Sequence, residues 1–214
     1  MNFIFDNIIF DFDGVILDSV PVKTNAFRII FQEYGDDKVE KIIEYHLENG
    51  GLSRYEKIEY FFKVILGRKI SKNEIDKYAN LFSKITLNEL AQKKYIITDT
   101  IKYIRTNYKK YNMHIASGAS ETDLKLICDK LDIAKYFISI HGSPKEKTIL
   151  IKDILLSYSY KKKNTCLVGD SINDYKASAE NGIDFFGFNN SSLKMLGYSY
   201  ISSFQENNIS KTLI

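Results

Sequence analysis

The second half of the sequence alternates between short strand patterns and helix patterns, and this alternation limits the possible folds more than any other feature. Apolar strand patterns lie at residues 114–116, 136–140, 165–168 and 183–188, with helical periodicity between them. A further buried-strand pattern, Ile8–Phe10, lies near the start of the sequence. Strands that alternate with helices of about 10–15 residues are typical of βαβ units, whose strands run parallel. The sequence therefore predicts an α/β fold with a parallel sheet flanked by helices.

Two helices of this half are predicted to begin with a capping box, in which a serine and an acid three residues later exchange hydrogen bonds with the backbone. The first box is Ser120–Asp123, and the second is Ser143–Glu146, which places Pro144 at the first helical position. A third helix is predicted over residues 173–181, where Gly182 ends it.

A different pattern fills the region between Val22 and about Tyr95, where helical periodicity dominates and strand signals are few. Ser53 is predicted to open one amphipathic helix, and a second helix is predicted over Lys72–Leu90. This stretch is therefore expected to form a helical unit between the first strand and the alternating half.

Two acidic residues, Asp11 and Asp13, directly follow the first strand. Residues i and i+2 of an extended chain point the same way, so these two carboxylates are expected to lie side by side. Neighbouring carboxylates repel each other unless a cation neutralises one of them or they share a proton. This pair therefore indicates a functional site at the end of the strand.

Three other strand ends carry residues suited to binding an ion. Ser117 and Gly118 offer a hydroxyl group and backbone amides ahead of a helix, which suits an anion. Lys147 lies near the start of another helix, while Asp170 and Asp174 flank a strand-to-helix turn. The carboxyl ends of parallel strands share one edge of the sheet, so we expect a single site. Hard oxygen ligands favour Mg²⁺ over zinc, and a metal beside an anion site indicates phosphoryl transfer.

Most of these residues also have a structural interpretation when each is taken alone. Asp170 and Asp174 suit a helix cap with a first-turn acid, and Ser117 suits a turn. Asp11 and Asp13 are the hardest to explain in this way, because paired acids after an apolar strand cost stability. The combination therefore favours a site.

Composition excludes several other classes of protein. The 30 basic and 27 acidic residues give a net charge of +3, too even a balance to indicate binding of nucleic acid or a membrane surface. The sequence has no apolar run of about 18 residues, so no membrane span is expected. Residues 1–6 lack the pattern of a signal peptide, and two cysteines are too few for a disulfide framework. We therefore expect a cytoplasmic protein.

The four strand-end motifs, in this order, resemble those of the haloacid dehalogenase superfamily. The resemblance is to its phosphatase branch, similar to phosphoglycolate phosphatases and β-phosphoglucomutases, with a helical cap inserted after the first strand. The matching motifs, within residues 8 to about 183, are Asp11–Ser19, Ser117, Lys147 and Gly169–Asp174. The resemblance implies a Rossmann-like catalytic core of residues 1–17 and 98–214, and an α-helical cap domain of residues 18–97.

The same resemblance implies roles for the acidic residues. Asp11 is expected to be the nucleophile that forms an aspartyl-phosphate, and Asp13 the group that protonates the leaving oxygen and then accepts a proton from water. The expected ligands of Mg²⁺ are the Asp11 carboxylate, the Asp13 backbone carbonyl and Asp170, with Asp174 acting from the second coordination shell.

Other residues are expected to bind the substrate's phosphate. Ser117, Gly118 and Lys147 are expected to contact the transferring phosphoryl group. Lys145 remains an alternative to Lys147, because a Ser-Pro-Lys-Glu-Lys sequence replaces the family's commoner lysine-proline pair. Lys147 is preferred for its distance from the apolar stripe of the following helix.

The cap turn at residues 51–57 supplies one further expectation. The resemblance implies that Arg54, and less surely Lys57, meets the polar or anionic end of the substrate that is remote from Asp11. The alternative interpretation of Arg54 is a surface arginine–glutamate pair that contributes little stability.

Together these expectations describe a Mg²⁺-dependent phosphatase that hydrolyses a small phosphorylated metabolite, such as a sugar phosphate or a compound like phosphoglycolate. The main alternative is a phosphomutase of the β-phosphoglucomutase type, which shares the chemistry up to the aspartyl-phosphate. A third interpretation is a non-catalytic binding protein on the same fold.

Overall fold

Six parallel strands form one sheet within residues 5–205, the part of the chain that the computed structural model describes. Their order across the sheet is β3-β2-β1-β4-β5-β6, which places β1 in the middle. The predicted α/β fold is therefore confirmed. The strands are β1 (Asn7–Phe10), β2 (Asn112–Ser120), β3 (Ser139–Ser143), β4 (Thr165–Gly169), β5 (Asp184–Phe188) and β6 (Tyr200–Ile201).

Helices cover both faces of this sheet, so its central strands are buried on two sides. Successive residues of β1 point to opposite faces: Ile8 and Phe10 pack in one apolar cluster, and Ile9 packs in another. The helices after residue 97 are α5 (Thr98–Asn107), α6 (Glu121–Lys130), α7 (Lys147–Ser157), α8 (Ile172–Asn181) and α9 (Ser191–Met195). The first cluster includes residues of α5 and α6, and the second includes residues of α7 and α8.

The region between β1 and α5 is helical and has a hydrophobic cluster of its own. Aromatic rings dominate this cluster, with Phe27, Phe31 and Phe61 almost fully buried. Its elements are α1 (Val20–Phe31), α2 (Asp36–Glu48), α3 (Arg54–Tyr60), a π-helical turn (Phe61–Ile65) and α4 (Lys72–Leu90). We call this region the cap and the remainder the core.

The two crossings between core and cap lie side by side. The Ile97 amide donates to the Ile16 carbonyl at 3.0 Å, and the Asp18 amide donates to the Tyr95 carbonyl at 2.8 Å. We call these paired segments, 16–18 and 95–97, the hinge. The domain division at residues 17/18 and 97/98 stays a prediction, and residues 1–4 and 206–214 of it lie outside the described residues.

Several local predictions are confirmed. Ser53 caps α3 through a reciprocal capping box with Glu56, and α4 has the predicted bounds. Gly182 ends α8 with a left-handed backbone conformation. None of the helices within residues 5–205 combines the length and apolar composition that crossing a membrane requires.

Both capping boxes predicted in the second half are wrong. Ser120 is the last residue of β2 and precedes α6 without a side-chain cap, and the Asp123 carboxylate binds Arg54 and Ser83 instead of the Ser120 amide. Ser143 does not cap a helix because it is the last residue of β3, and α7 begins only at Lys147. The strand predicted at 136–140 lies three residues further on, since β3 is a half-exposed edge strand that continues through polar residues.

Candidate active site

The carboxyl ends of β1, β2 and β4 bring most of the predicted site residues together. Phe10 at the end of β1 is in register with Ile115 of β2 and Val168 of β4. The Asp11 amide extends this pairing by donating to the Val168 carbonyl at 2.9 Å. Asp11 therefore lies at the centre of the sheet edge, with the end of β4 at Gly169 on one side and the last residues of β2, up to Ser120, on the other.

Three carboxylates form a buried cluster there. One oxygen each from Asp11, Asp170 and Asp174 lies within 4.8 Å of the others. Gly14 permits this approach: its φ of +73° turns the chain away, and a Cβ at this position would come within 1.9 Å of Asp170 Oδ2. The backbone after β1 is therefore shaped around the Asp170 carboxylate.

Lys147 lies between two of these acids. Its ammonium group is 2.9 Å from Asp11 Oδ1 and also binds Asp174, and the residue is only 9% exposed. Burial lowers the pKa of Lys147, but the two carboxylates more than offset this, so its pKa lies above the usual value. Lys145 is exposed and pairs with Asp153 at 2.6 Å, so it is Lys147 that the fold brings to the cluster.

The cluster carries more negative charge than Lys147 can neutralise. Burial, with the charges of Asp174 and Asp13, raises the pKa of Asp11 to about 7 although Lys147 lowers it. Burial and the neighbouring Asp11 and Asp174 likewise raise the pKa of Asp170 well above its usual value. A cluster of carboxylates with raised pKa values is stabilised when a cation binds to it.

The free oxygens of the cluster suit a hard divalent cation. Asp11 Oδ2 is buried without a hydrogen-bond partner among the described residues. Asp174, in contrast, uses both oxygens: Oδ2 accepts from the Ser171 amide at 3.0 Å and hydroxyl at 2.7 Å, and Oδ1 accepts from Lys147. Asp11 and Asp170 therefore retain oxygens for a metal, and Asp174 orients its neighbours.

Asp13 has partners of its own on the cap side. Its carboxylate accepts from the Ser19 hydroxyl and from the Lys23 ammonium, each at 2.5 Å. Although burial raises the pKa of Asp13, Lys23 and Ser19 bring it below the usual value, so Asp13 is ionised in this arrangement. Lys23 was not predicted from the sequence, although it lies four residues after Ser19, the N-cap residue of α1, and therefore on the same side of the first turn.

Ser117 and Gly118 end up beneath the cap. Ser117 is fully buried, and its hydroxyl accepts from the Ala119 amide at 3.1 Å. A Cβ on Gly118 would come within 2.2 Å of the Gly51 carbonyl oxygen. Only glycine at position 118 therefore leaves room for the cap turn to pack against β2. The Asn173 side chain also donates to the Gly50 carbonyl at 2.8 Å. The cap therefore rests directly on the strand ends.

Arg54 is not a surface arginine–glutamate pair. It is 6% exposed, and its Nη1 lies 2.8 Å from Asp123 of α6 and 2.6 Å from the Ser83 hydroxyl. Its guanidinium group also stacks over Phe82, 4.6 Å from the ring centroid. Arg54 therefore joins cap to core through Asp123, and it also lines the cleft between them.

This cleft has a volume of about 360 Å³ and lies between the cap and the strand ends. The core contributes Asp13, Gly118 and Asp170 to its lining. The cap contributes apolar groups and five residues with ionisable side chains: Lys23, His46, Glu48, Arg54 and Lys57. A volume of this size suits a small metabolite.

Comparison with known proteins agrees with this geometry. Residues 8–188 match the family model described as haloacid dehalogenase-like hydrolase. No curated protein matches the sequence. Among solved structures, β-phosphoglucomutase from Clostridium difficile has a TM-score of 0.80 at 17% identity, covering 98% of this chain and 97% of that one.

Two further solved structures share the fold. CbbY from Rhodobacter sphaeroides, in complex with phosphate, has a TM-score of 0.74 at 15% identity, covering 95% of this chain and 96% of that one. A predicted phosphoglycolate phosphatase from Haemophilus somnus has a TM-score of 0.66 at 15% identity, covering 86% and 85%. On the family match over most of its length, the chain belongs to the haloacid dehalogenase-like hydrolases, a family of enzymes.

Proposed function

We propose that the protein is a Mg²⁺-dependent phosphatase that hydrolyses a phosphate monoester of a small metabolite through an aspartyl-phosphate. The observation that carries the proposal is Asp11: a buried carboxylate with one oxygen bound to Lys147 and the other without a partner among the described residues. The structural neighbours support it, since CbbY is described with phosphate and, as a mutant, with xylulose-(1,5)bisphosphate.

In the first step, an Asp11 oxygen attacks phosphorus and the bond from phosphorus to the substrate's ester oxygen breaks. The leaving oxygen takes a proton from Asp13. Asp13 must therefore separate from Lys23 and Ser19 and take up a proton before it can act as the acid, because those partners favour its ionised form.

In the second step, water attacks the phosphorus of the aspartyl-phosphate and the bond to Asp11 breaks. Asp13 accepts the proton of this water, and inorganic phosphate leaves. Lys147 and Ser117 stabilise charge on the phosphoryl oxygens, while Asp174 holds Lys147 in place.

Asp11, the Asp13 carbonyl and Asp170 would hold Mg²⁺, with Asp174 beside them. When bound, the ion neutralises charge on the phosphoryl group and on the carboxylates. The raised pKa values of Asp11 and Asp170 and the unpartnered Asp11 oxygen support this assignment.

Phosphate release tests the proposal directly. The purified protein is assayed with p-nitrophenyl phosphate and a panel of sugar phosphates and phosphocarboxylates, with and without Mg²⁺ and after EDTA treatment. We expect turnover that EDTA abolishes and added Mg²⁺ restores. No phosphate release from any substrate, with a folded protein and Mg²⁺ present, would contradict it.

The same assay separates the alternatives. A phosphomutase would transfer the phosphoryl group to a sugar monophosphate in preference to water, leaving little free phosphate. A non-catalytic protein would bind phosphorylated compounds without either reaction.

We also propose a cytoplasmic location, which the two buried, unpaired cysteines support because disulfides are rare in that compartment.

A further inference from the structure

Two consecutive asparagines, Asn189 and Asn190, follow strand β5 in the core. Because Gly169 at the end of β4 pairs with Gly187 of β5, the chain that leaves β5 passes the point where Asp170 lies. Asn189 has a φ of 53°, a left-handed conformation that asparagine tolerates better than most residues. Asn190 is the N-cap residue of α9. The turn after β5 therefore lies against the segments that carry the site.

Each asparagine side chain donates a hydrogen bond to the backbone of one of these segments. Asn189 Nδ2 donates to the Gly14 carbonyl at 3.0 Å, and Gly14 lies 175 positions earlier in the sequence. Asn190 Nδ2 donates to the Asp170 carbonyl at 2.8 Å. The two side chains, which we call the asparagine pair, thus join the turn after β5 to the segments that follow β1 and β4.

Asp170 depends on its backbone more than the other two acids of the cluster do. Asp174 Oδ2 accepts hydrogen bonds from the Ser171 amide and hydroxyl. Asp11 Oδ1 lies 2.9 Å from the Lys147 ammonium. For the Asp170 carboxylate, in contrast, no group within residues 5–205 donates a hydrogen bond or forms an ion pair. Its position is therefore set by its own backbone and by the backbone packed against it.

The asparagine pair holds both of these backbone segments. Asn190 binds the carbonyl of Asp170 itself. Asn189 binds the carbonyl of Gly14, which lies so close to the Asp170 carboxylate that a Cβ there would come within 1.9 Å of Oδ2. A shift of either segment would change the distance between the Asp170 and Asp11 carboxylates. Loss of a hydrogen bond that supports a metal ligand typically lowers metal affinity by about 10–100-fold.

We propose that Asn189 and Asn190 are positioning residues that hold Asp170 at the distance from Asp11 that a divalent cation requires. The inference rests on the proposed function, since it takes Asp170 as a metal ligand. The pair acts through Asp170, so its loss should weaken metal binding and leave the chemical step intact. Asn190 also lines the cleft, and a direct contact with the substrate would instead change KM.

Binding of Mn²⁺ without substrate, followed by the electron paramagnetic resonance signal of the free ion, measures the site without turnover. Mn²⁺ is a hard cation that takes the same oxygen ligands as Mg²⁺. Asn190→Ser keeps a good N-cap residue for α9, but its hydroxyl is too short to reach the Asp170 carbonyl. We expect about tenfold weaker Mn²⁺ binding. Asn189→Gly keeps the left-handed backbone and removes the donor, with a smaller loss because Asn189 is exposed.

Asn164→Ser is the matched control. The Asn164 side chain donates to Asp6 Oδ2 at 2.7 Å, next to the opposite end of β4, so its loss should leave Mn²⁺ affinity unchanged. In the kinetic assay, Asn190→Ser should raise the Mg²⁺ requirement, while kcat and KM at saturating Mg²⁺ stay within about twofold of the wild type. A lower melting temperature with unchanged Mn²⁺ affinity, or a raised KM at saturating Mg²⁺, would overturn the proposal.

Asp170→Ala in the same binding assay separates this inference from the proposed function. If Asp170→Ala weakens Mn²⁺ binding but Asn190→Ser and Asn189→Gly do not, the inference alone is refuted. If Asp170→Ala leaves binding unchanged, the metal assignment and the inference both fail. Weaker binding in all three variants supports the asparagine pair even where the wild type releases no phosphate.

Discussion

Two buried lysines, one in the core and one in the cap, have opposite surroundings. In the core, Lys147 lies between Asp11 and Asp174, so its charge has carboxylate partners in the protein itself. In the cap, the hydrogen-bond partners of Lys57 among the described residues are the imidazole and the backbone carbonyl of His46. The carboxylates raise the pKa of Lys147 above its usual value although burial lowers it, whereas burial lowers the pKa of Lys57 to about 7. The same type of side chain therefore keeps its charge where carboxylates surround it and loses it more easily where they do not.

The largest expected effect is the loss of turnover when Asp11, the proposed nucleophile in the core, is replaced. Asp11→Asn should lower turnover by about 10⁴-fold or more, because a carboxamide of nearly the same volume is a poor nucleophile. The assay is phosphate release, with the melting temperature as the measure of folding. Asp153→Asn, at an exposed acid paired with Lys145, is the matched control. Substantial turnover by folded Asp11→Asn would show that another group attacks phosphorus.

The two candidate lysines give the next effect. Lys147→Ala should lower kcat by about 10²–10³-fold, as expected when a group that stabilises transition-state charge is removed. Lys145→Ala, at an exposed residue, should leave kcat within about twofold of the wild type. Steady-state kinetics on p-nitrophenyl phosphate makes the comparison. Equal losses in the two variants would refute the distinction drawn from burial.

Arg54 tests the join between cap and core. Arg54→Met leaves the half-buried Asp123 carboxylate without its cation and should lower the free energy of unfolding by about 3 kcal/mol. Denaturant unfolding measures this loss, and the double variant Arg54→Met/Asp123→Leu should regain part of it. A selective rise in KM for charged substrates, with stability unchanged, would instead support the expected contact of Arg54 with the substrate.

Asp170 tests the metal assignment. Asp170→Ala should raise the Mg²⁺ concentration needed for half-maximal activity by about tenfold or more, since it removes one charged oxygen ligand. Magnesium titration at saturating substrate measures it. Asp129→Ala, on the exposed side of α6, provides the control. An unchanged requirement would remove Asp170 from the ligand set.

The smallest expected effect is on the pH dependence of stability. It follows from a comparison of two buried histidines, His114 in the core and His46 in the cap. In the core, both ring nitrogens of His114 have partners, Ser139 at 2.7 Å and Tyr160 at 3.0 Å, whereas Nε2 of His46 in the cap has no partner within residues 5–205. Burial, with the neighbouring His141, lowers the pKa of His114 to about 4 in the folded state, against 6.5 ordinarily.

The stabilisation that follows from neutral His114 is present above pH 6.5 and is lost as pH falls toward 4, because only the unfolded chain then takes up the proton. The loss amounts to about 1 kcal/mol by pH 5.5. Denaturant unfolding at pH 7.5 and 5.5 should show a smaller pH-dependent change for His114→Gln than for the wild type. The same change in both proteins would assign the pH dependence to other groups.

The fold and the meeting of the strand-end residues could be predicted because both depend on local patterns. Alternating periodicities predict parallel strands, and parallel strands bring Asp11 and Asp170 to one edge. The preference for Lys147 over Lys145 came from its distance from the apolar stripe, and burial now distinguishes the two lysines clearly.

Long-range pairs account for what the sequence could not show. Asp123 fits a capping box locally, but a cap arginine 69 positions earlier takes its carboxylate. Lys23 was missed because its partner, Asp13, lies across a turn rather than on the same helix.

The contact between Gly118 and the Gly51 carbonyl has a kinetic consequence. With the cap seated there, Asp11 is only 1% exposed, so we expect substrate and product to exchange while the cap is lifted at the hinge. The rate of that opening sets an upper limit on kcat. For a substrate with a fast chemical step, turnover should then fall as solvent viscosity rises, whereas turnover of a slow substrate should be insensitive to it.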